Sequence, residues 1–175
     1  MKNFRSIKGT HDILPKDSYK WRHLESIVHQ VCAQFGFQEI RTPIFEQNKL
    51  FSRSVGEESD IVTKEMYSWE DKDNSFLTLR PELTAPVARA YNQHNLGNLS
   101  PIHRFYYIGP LFRRERPQKG RQRQFHQFGI EAFGSNFAEQ DAEIIALAWH
   151  LLAHFRLTNK IDLQVNSIGT SECRA

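Results

Sequence analysis

Cysteine is nearly absent: Cys32 and Cys173 are the only two among 175 residues, far apart and in no CxxC pair. A disulfide-stapled scaffold and a cysteine zinc ribbon are thereby excluded, and reduced, non-metal thiols are expected. Glycine, with 9 residues, and proline, with 7, are too sparse for a collagen-like or low-complexity chain. No apolar run approaches the length of about 18 residues that a helical membrane span needs. The opening MKNFRSIKGTHD lacks the apolar stretch of a secretory signal, which predicts a cytosolic protein without membrane partners. What is present is aromatic and aliphatic. The chain is 39% hydrophobic and 12% aromatic, with 13 phenylalanines, enough for the core of one compact domain.

The net charge of +3 is concentrated rather than spread. Between Arg113 and Arg123 lie five arginines and Lys119 against a single acid, Glu115, so the remainder of the chain is mildly acidic. Positive charge focused in one loop points to a polyanionic partner, either nucleotide phosphates or a nucleic-acid backbone.

Periodicity organises the rest. Trp21, Leu24, Val28, Val31 and Phe35, with Ile27 and Cys32, recur at helical spacing after Pro15-Lys16-Asp17-Ser18, where Asp17 or Ser18 is the expected cap. Gly36 is placed to end that helix. A short strand over 37–41 is stopped by Pro43. The segments 66–69 and 76–79 read as a hairpin, and 83–91 as a helix with Pro81 in its first turn. Two aromatic strands over 102–112 and 123–133 flank the basic loop, a helix covers 139–155, and a last strand is expected over 162–168. No internal repeat is visible. Gly169-Thr170-Ser171-Glu172 has helix-start chemistry with only three residues after it, so the 175 residues are expected to be a fragment of a longer protein.

Alternation along the second aromatic strand sorts its side chains. The even positions Phe128, Ile130 and Ala132 suit a core. The odd positions Arg121, Arg123, Phe125, Gln127, Gly129 and Glu131 combine arginines, an aromatic ring, an amide and a carboxylate, a pattern for binding a ligand. On a straight strand Arg123 and Glu131 would be roughly 26 Å apart, so a ligand touching both must be long. Arg113 and Glu115 share a face by the same alternation. The plain alternative is a solvated basic hairpin with a surface ion pair worth about 0–1 kcal/mol.

Phe112-Arg113-Arg114-Glu115, a loop and an aromatic strand resemble the second signature motif of class II aminoacyl-tRNA synthetases. The longer string RRERPQKGRQRQFHQFGIEAFG at 113–134 resembles the histidyl-tRNA synthetase family in particular, as do KGTHDILP at 8–15 and LRPELTAPVARA at 79–90. The resemblance implies an α+β catalytic domain of the class II synthetase type, an antiparallel sheet flanked by helices. The chain would hold its N-terminal portion with the first two class motifs, the third motif and the anticodon-binding domain lying outside it. The implied reaction is ATP-dependent activation of histidine to histidyl-adenylate and transfer to tRNA(His) by a homodimeric ligase. Arg113 and Gln127 would act at the reacting atoms. Arg113, Glu115, Arg121, Arg123 and Phe125 would bind ATP, while Glu82, Thr84, Gln127 and Glu131 would bind histidine. Mg²⁺ would arrive with ATP, with no all-protein metal site.

Leu83 stands where many bacterial relatives have glycine. Turned toward the amino-acid pocket it would crowd histidine; turned into the helix core it changes nothing, and the spacing favours the core. His150 and His154 lie four apart, but HLLAH lacks the glutamate of HExxH, so ordinary helix histidines are expected. His126, on the even face, is expected in or near the core, and His11 in a loop-stabilising role. Two other functions compete. One is a synthetase-like regulatory subunit of ATP phosphoribosyltransferase, against which the intact basic loop argues. The other is a nucleic-acid-binding module using the basic hairpin, with steeply salt-dependent affinity.

Overall fold

The computed structural model describes residues 3–55 and 65–166. Helix α1 (Pro15–Gln34) begins on proline, whose missing N–H costs nothing there. Its N-cap is Leu14, so neither Asp17 nor Ser18 caps it; Asp17 instead pairs with Lys20 at 2.9 Å. The helix ends as expected at Gly36, which takes φ +73°. Of the stripe, Val28, Val31 and Cys32 are buried while Leu24 is exposed. Burial pushes the Cys32 thiol up to about 12, as befits a small core hydrophobe.

Strand β1 (Gln38–Glu39) is shorter than expected. Then come β2 (Phe45–Gln47) and α2 (Asn48–Val55), which the sequence pattern did not disclose. Strands β3 (Tyr67–Glu70) and β4 (Phe76–Leu79) form the expected hairpin, and β2 adds to the other edge of β4, giving the antiparallel order β2-β4-β3. Helix α3 (Thr84–Gln93) starts three residues beyond Pro81, which therefore precedes the helix rather than entering its first turn.

The long hairpin is β5 (His103–Phe112) and β6 (Gln124–Phe133), antiparallel over ten residue pairs. On its far side β1 runs parallel to β5, so this sheet, of order β1-β5-β6, is mixed rather than purely antiparallel. Helix α4 (Ala138–His154) follows, with a single 3-10 turn over Thr158–Lys160 after it. Residues 161–166 form no strand, and the remainder of the expected last strand lies outside the described residues, as do Cys173 and the Gly169–Glu172 helix start.

The two faces of the β5–β6 hairpin serve two cores. Tyr106, Ile108, Phe128 and Ile130 pack with Val28, Val31 and Cys32 of α1 and with Leu147 and Leu151 of α4. The opposite face presents Phe105, Tyr107 and Leu111 to Leu83 and Val87 at α3, flanked by Phe125 and Phe133. Leu83 is 2% exposed, turned into that core. The odd face of β6 is thus partly core and partly open, and its open part holds the candidate site.

Candidate active site

Two groups of polar side chains lie along the odd face of β6. At its start, the Arg113 guanidinium sits over the Phe125 ring, 5.2 Å from the centroid, and its Nε donates to the Pro81 carbonyl at 3.0 Å. Such stacking on an aromatic face favours a guanidinium over an ammonium. Glu115 lies between two arginines, 3.9 Å from Arg113 Nη1 and 3.3 Å from Arg121 Nη1. Arg113, Glu115, Arg121 and Phe125 line one open cleft of about 560 Å³, with Glu65 and His126 also on its wall. The cleft is polar, charged and large enough for a nucleotide.

Farther along β6, Glu131 Oε1 accepts a hydrogen bond from Thr84 Oγ1 at 2.7 Å and another from the Tyr107 hydroxyl at 3.2 Å. Glu82 caps α3: the Ala85 N–H donates to its carboxylate at 3.1 Å. Burial pushes the Glu82 carboxyl above its ordinary range, an effect the Glu131 charge reinforces and hydrogen bonds from Ala85 and Thr84 oppose. Gln127 lies on the same face between the groups, exposed and opposite Gly109.

The residues 81–84 tie the two groups together. The Pro81 carbonyl holds Arg113, and three residues later the Thr84 hydroxyl holds Glu131. The start of α3 is therefore the common support of the two clusters. Phe125 and Glu131 are about 20 Å apart along the β6 backbone, but the groups held by Pro81 and Thr84 are drawn together by a segment that spans at most about 11 Å.

Arg123 stands apart from the cleft. Its backbone N–H donates to the Gly9 carbonyl at 2.8 Å, as that of Gln124 does at 3.1 Å. Its Nε is buried with no hydrogen-bond partner among the described residues. Gly9 has φ +89°, and a Cβ there would lie 2.9 Å from the Cγ atoms of both Arg123 and Pro117. The GTHD segment thus braces the basic loop through one glycine. Gly9→Ala is expected to loosen that loop, and trypsin should then cut at Lys119 and Arg121 several-fold faster than in the unaltered chain.

Three contributors were not named as site residues from the sequence. Tyr107 faces Glu131 across the register pair Tyr107↔Gly129, a juxtaposition invisible until strand pairing is known. Arg80, 5% exposed, donates from Nε to the Pro110 carbonyl at 3.0 Å and from Nη1 to the carbonyls of Thr42 and Pro43 at 2.7 and 3.2 Å. A charged side chain in LRPE, between an apolar strand and a proline, was its only sequence signal. The third is Gly9, marked in the sequence only as part of KGTHDILP, whose carbonyl receives the N–H groups of Arg123 and Gln124 where β6 begins.

Of the histidines considered from the sequence, only His126 reaches the cleft, on its wall. His126 is exposed, with its ring 4.6 Å from that of Trp21 rather than in the core, His150 lies against Phe35, and His11 and His154 are exposed. No group of three metal-ligating side chains occurs among the described residues. No helix among them is long and apolar enough to cross a membrane.

Comparison with known proteins bears on this geometry. Residues 9–171 match the family described as histidyl-tRNA synthetase. A histidine–tRNA ligase of Chloroherpeton thalassium is 52% identical over 172 residues, which are 98% of this chain and 40% of that protein. The crystal structure of apo histidyl-tRNA synthetase of S. aureus superposes with a TM-score of 0.74 at 39% identity, covering 89% of this chain and 35% of the other. A Bacillus halodurans protein described as an ATP phosphoribosyltransferase regulatory subunit/histidyl-tRNA synthetase also gives 0.74, at 27% identity over 88% of this chain and 38% of its own. The chain spans about 40% of the length of the curated relatives it matches. With a match running through nearly all of its residues, the chain belongs to the histidyl-tRNA synthetase family.

Proposed function

We propose that the protein carrying this chain is a histidine–tRNA ligase, activating histidine with ATP and transferring it to tRNA(His). The observation that carries the proposal is the common support at residues 81–84, which holds a guanidinium stacked on an aromatic ring at one end and an oriented carboxylate at the other. A nucleotide and an amino acid bound to those groups would meet between them, near Gln127.

In the first step a carboxylate oxygen of histidine attacks the α-phosphorus of ATP. A new P–O bond forms, the bond to the bridging oxygen breaks, and pyrophosphate leaves with that electron pair. Both reactants are anionic, so the protein's work is positioning and charge neutralisation. Arg113 would contact the α-phosphate through its fork of N–H donors and Phe125 would stack on adenine, with Glu115 and Arg121 ordering the loop and the remaining phosphates and Arg123 bracing the loop against Gly9. Glu82 and Thr84 would receive the α-amino group, Gln127 would lie by the substrate carboxylate, and Glu131 would accept an imidazole N–H. Magnesium would come bound to ATP, held by phosphates and water. A homodimer is the proposed assembly.

The test is histidine-dependent ATP–pyrophosphate exchange by the full protein, which is expected to proceed with histidine and fail with phenylalanine. A well-folded protein that binds histidine without exchange would instead be a regulatory subunit like the one in the Bacillus halodurans description. The 175-residue chain by itself is expected to show no exchange, since it spans only about 40% of its curated relatives.

A further inference from the structure

We infer that Tyr107 is a positioning residue for amino-acid selection: seated over Gly129, it occupies one oxygen of Glu131 and reserves the other for the substrate. This rests on the proposed function above and assigns a role within that site.

Both internal hydrogen bonds to Glu131 fall on the same oxygen. Thr84 and Tyr107 donate to Oε1, and no donor among the described residues reaches Oε2. A carboxylate has acceptor sites on both oxygens, so saturating one from within fixes its plane and leaves the other as the open acceptor. Such a half-buried site takes a ligand presenting an N–H, as an imidazole does, and leaves its open acceptor unpaired under the ligand when offered a ring without one.

The geometry that brings Tyr107 there depends on a glycine. Tyr107 and Gly129 are directly opposite in the β5–β6 ladder, and a methyl group at Gly129 would overlap the hydroxyl end of the Tyr107 side chain, at Cζ, Oη and Cε2. The ring therefore lies across the glycine and carries its hydroxyl along β6 to residue 131, two positions on and on the same face. The ring itself is 5% exposed and packed among Leu83, Val87 and Leu111, so it has little freedom to swing away. Burial pushes the phenol up to about 12, which keeps it a donor throughout the pH range in which the protein would work.

Tyr107→Phe in the full protein retains the ring and the packing and removes only the donor. Exchange kinetics should show KM for histidine raised about ten- to a hundred-fold, the range for a hydrogen bond to a charged group, with KM for ATP within two-fold of the unaltered value. Gly129→Ala should displace the ring and give the same histidine-specific signature. In the Tyr107→Phe background, Gly129→Ala should add little to the histidine KM, because the hydroxyl is already gone. A merely structural role would lower kcat and thermal stability and leave the two KM values in their original ratio. Exchange with an unchanged histidine KM in Tyr107→Phe overturns this assignment alone. Absence of histidine-dependent exchange in the unaltered protein overturns the proposed function and this assignment with it.

Discussion

Arg113→Ala is expected to lower histidine-dependent ATP–pyrophosphate exchange by about 10²–10³-fold, the usual cost of deleting one preorganised electrostatic donor. The guanidinium is held before any ligand arrives, by the Phe125 face and by the Pro81 carbonyl. Its charge is therefore aimed without reorganisation at the moment of reaction. Arg113→Lys keeps the charge but loses the planar fork and most of the stacking, and should recover only a small part of the rate. Thermal stability should change little in either variant, because the side chain lies on the wall of an open cleft. Pre-steady-state exchange with and without saturating ATP would separate lost binding from lost chemistry. A rate within three-fold of the unaltered protein would remove Arg113 from the reacting centre.

Arg80→Met is expected to act on stability instead. Arg80 joins the two sheets: its side chain donates to carbonyls before β2 and near the end of β5, and its backbone N–H donates to Ile44 while its carbonyl accepts from Phe112. Burial pulls its guanidinium below the ordinary value, yet no change of charge is within reach, so the group stays a donor. Methionine fills similar volume and leaves three carbonyls without their donor, each costing about 1–3 kcal/mol if water cannot enter. A loss of about 3–5 kcal/mol is expected, which at about 2–4 °C per kcal/mol lowers Tm by roughly 10 °C. Differential scanning calorimetry of the 175-residue chain checks this, and a shift under 2 °C would show that the carbonyls find other partners. Gly109 belongs to the same arrangement, because a Cβ there would lie 2.5 Å from Arg80 Nη2.

Much of this was legible in the residues and some was not. The α1 stripe and its Gly36 stop, the β3–β4 hairpin, and the long β5–β6 hairpin with its basic loop all carry strong local patterns. Strand β2 and helix α2 escaped because they are short, three and eight residues, and Ile44 and Phe45 are exposed although apolar. The cap of α1 was misplaced because the helix starts earlier, at Pro15, whose missing N–H removes one unpaired donor, and Leu14 flanks it with no side-chain cap. The parallel contact of β1 with β5 joins residues more than 60 positions apart, and nothing in two strand residues announces it. Among the candidate site residues, Arg113, Glu115, Arg121 and Phe125 meet in one cleft, and Thr84 and Glu131 meet in one hydrogen bond. Glu82 turns to cap α3, Arg123 packs against the Gly9 segment and Gln127 stands between the clusters.

Alternation along Gln124–Phe133 by itself determined which side chains of β6 share a face, since the strand period is two whatever the surroundings. Charge counting likewise located the basic loop without coordinates. Only the tertiary structure decided that Tyr107 would lie across Gly129 and that Pro81 and Thr84 would support the two ends of the site. Those contacts depend on strand register and on how α3 docks against the sheet, and both are set by long-range packing rather than by local pattern.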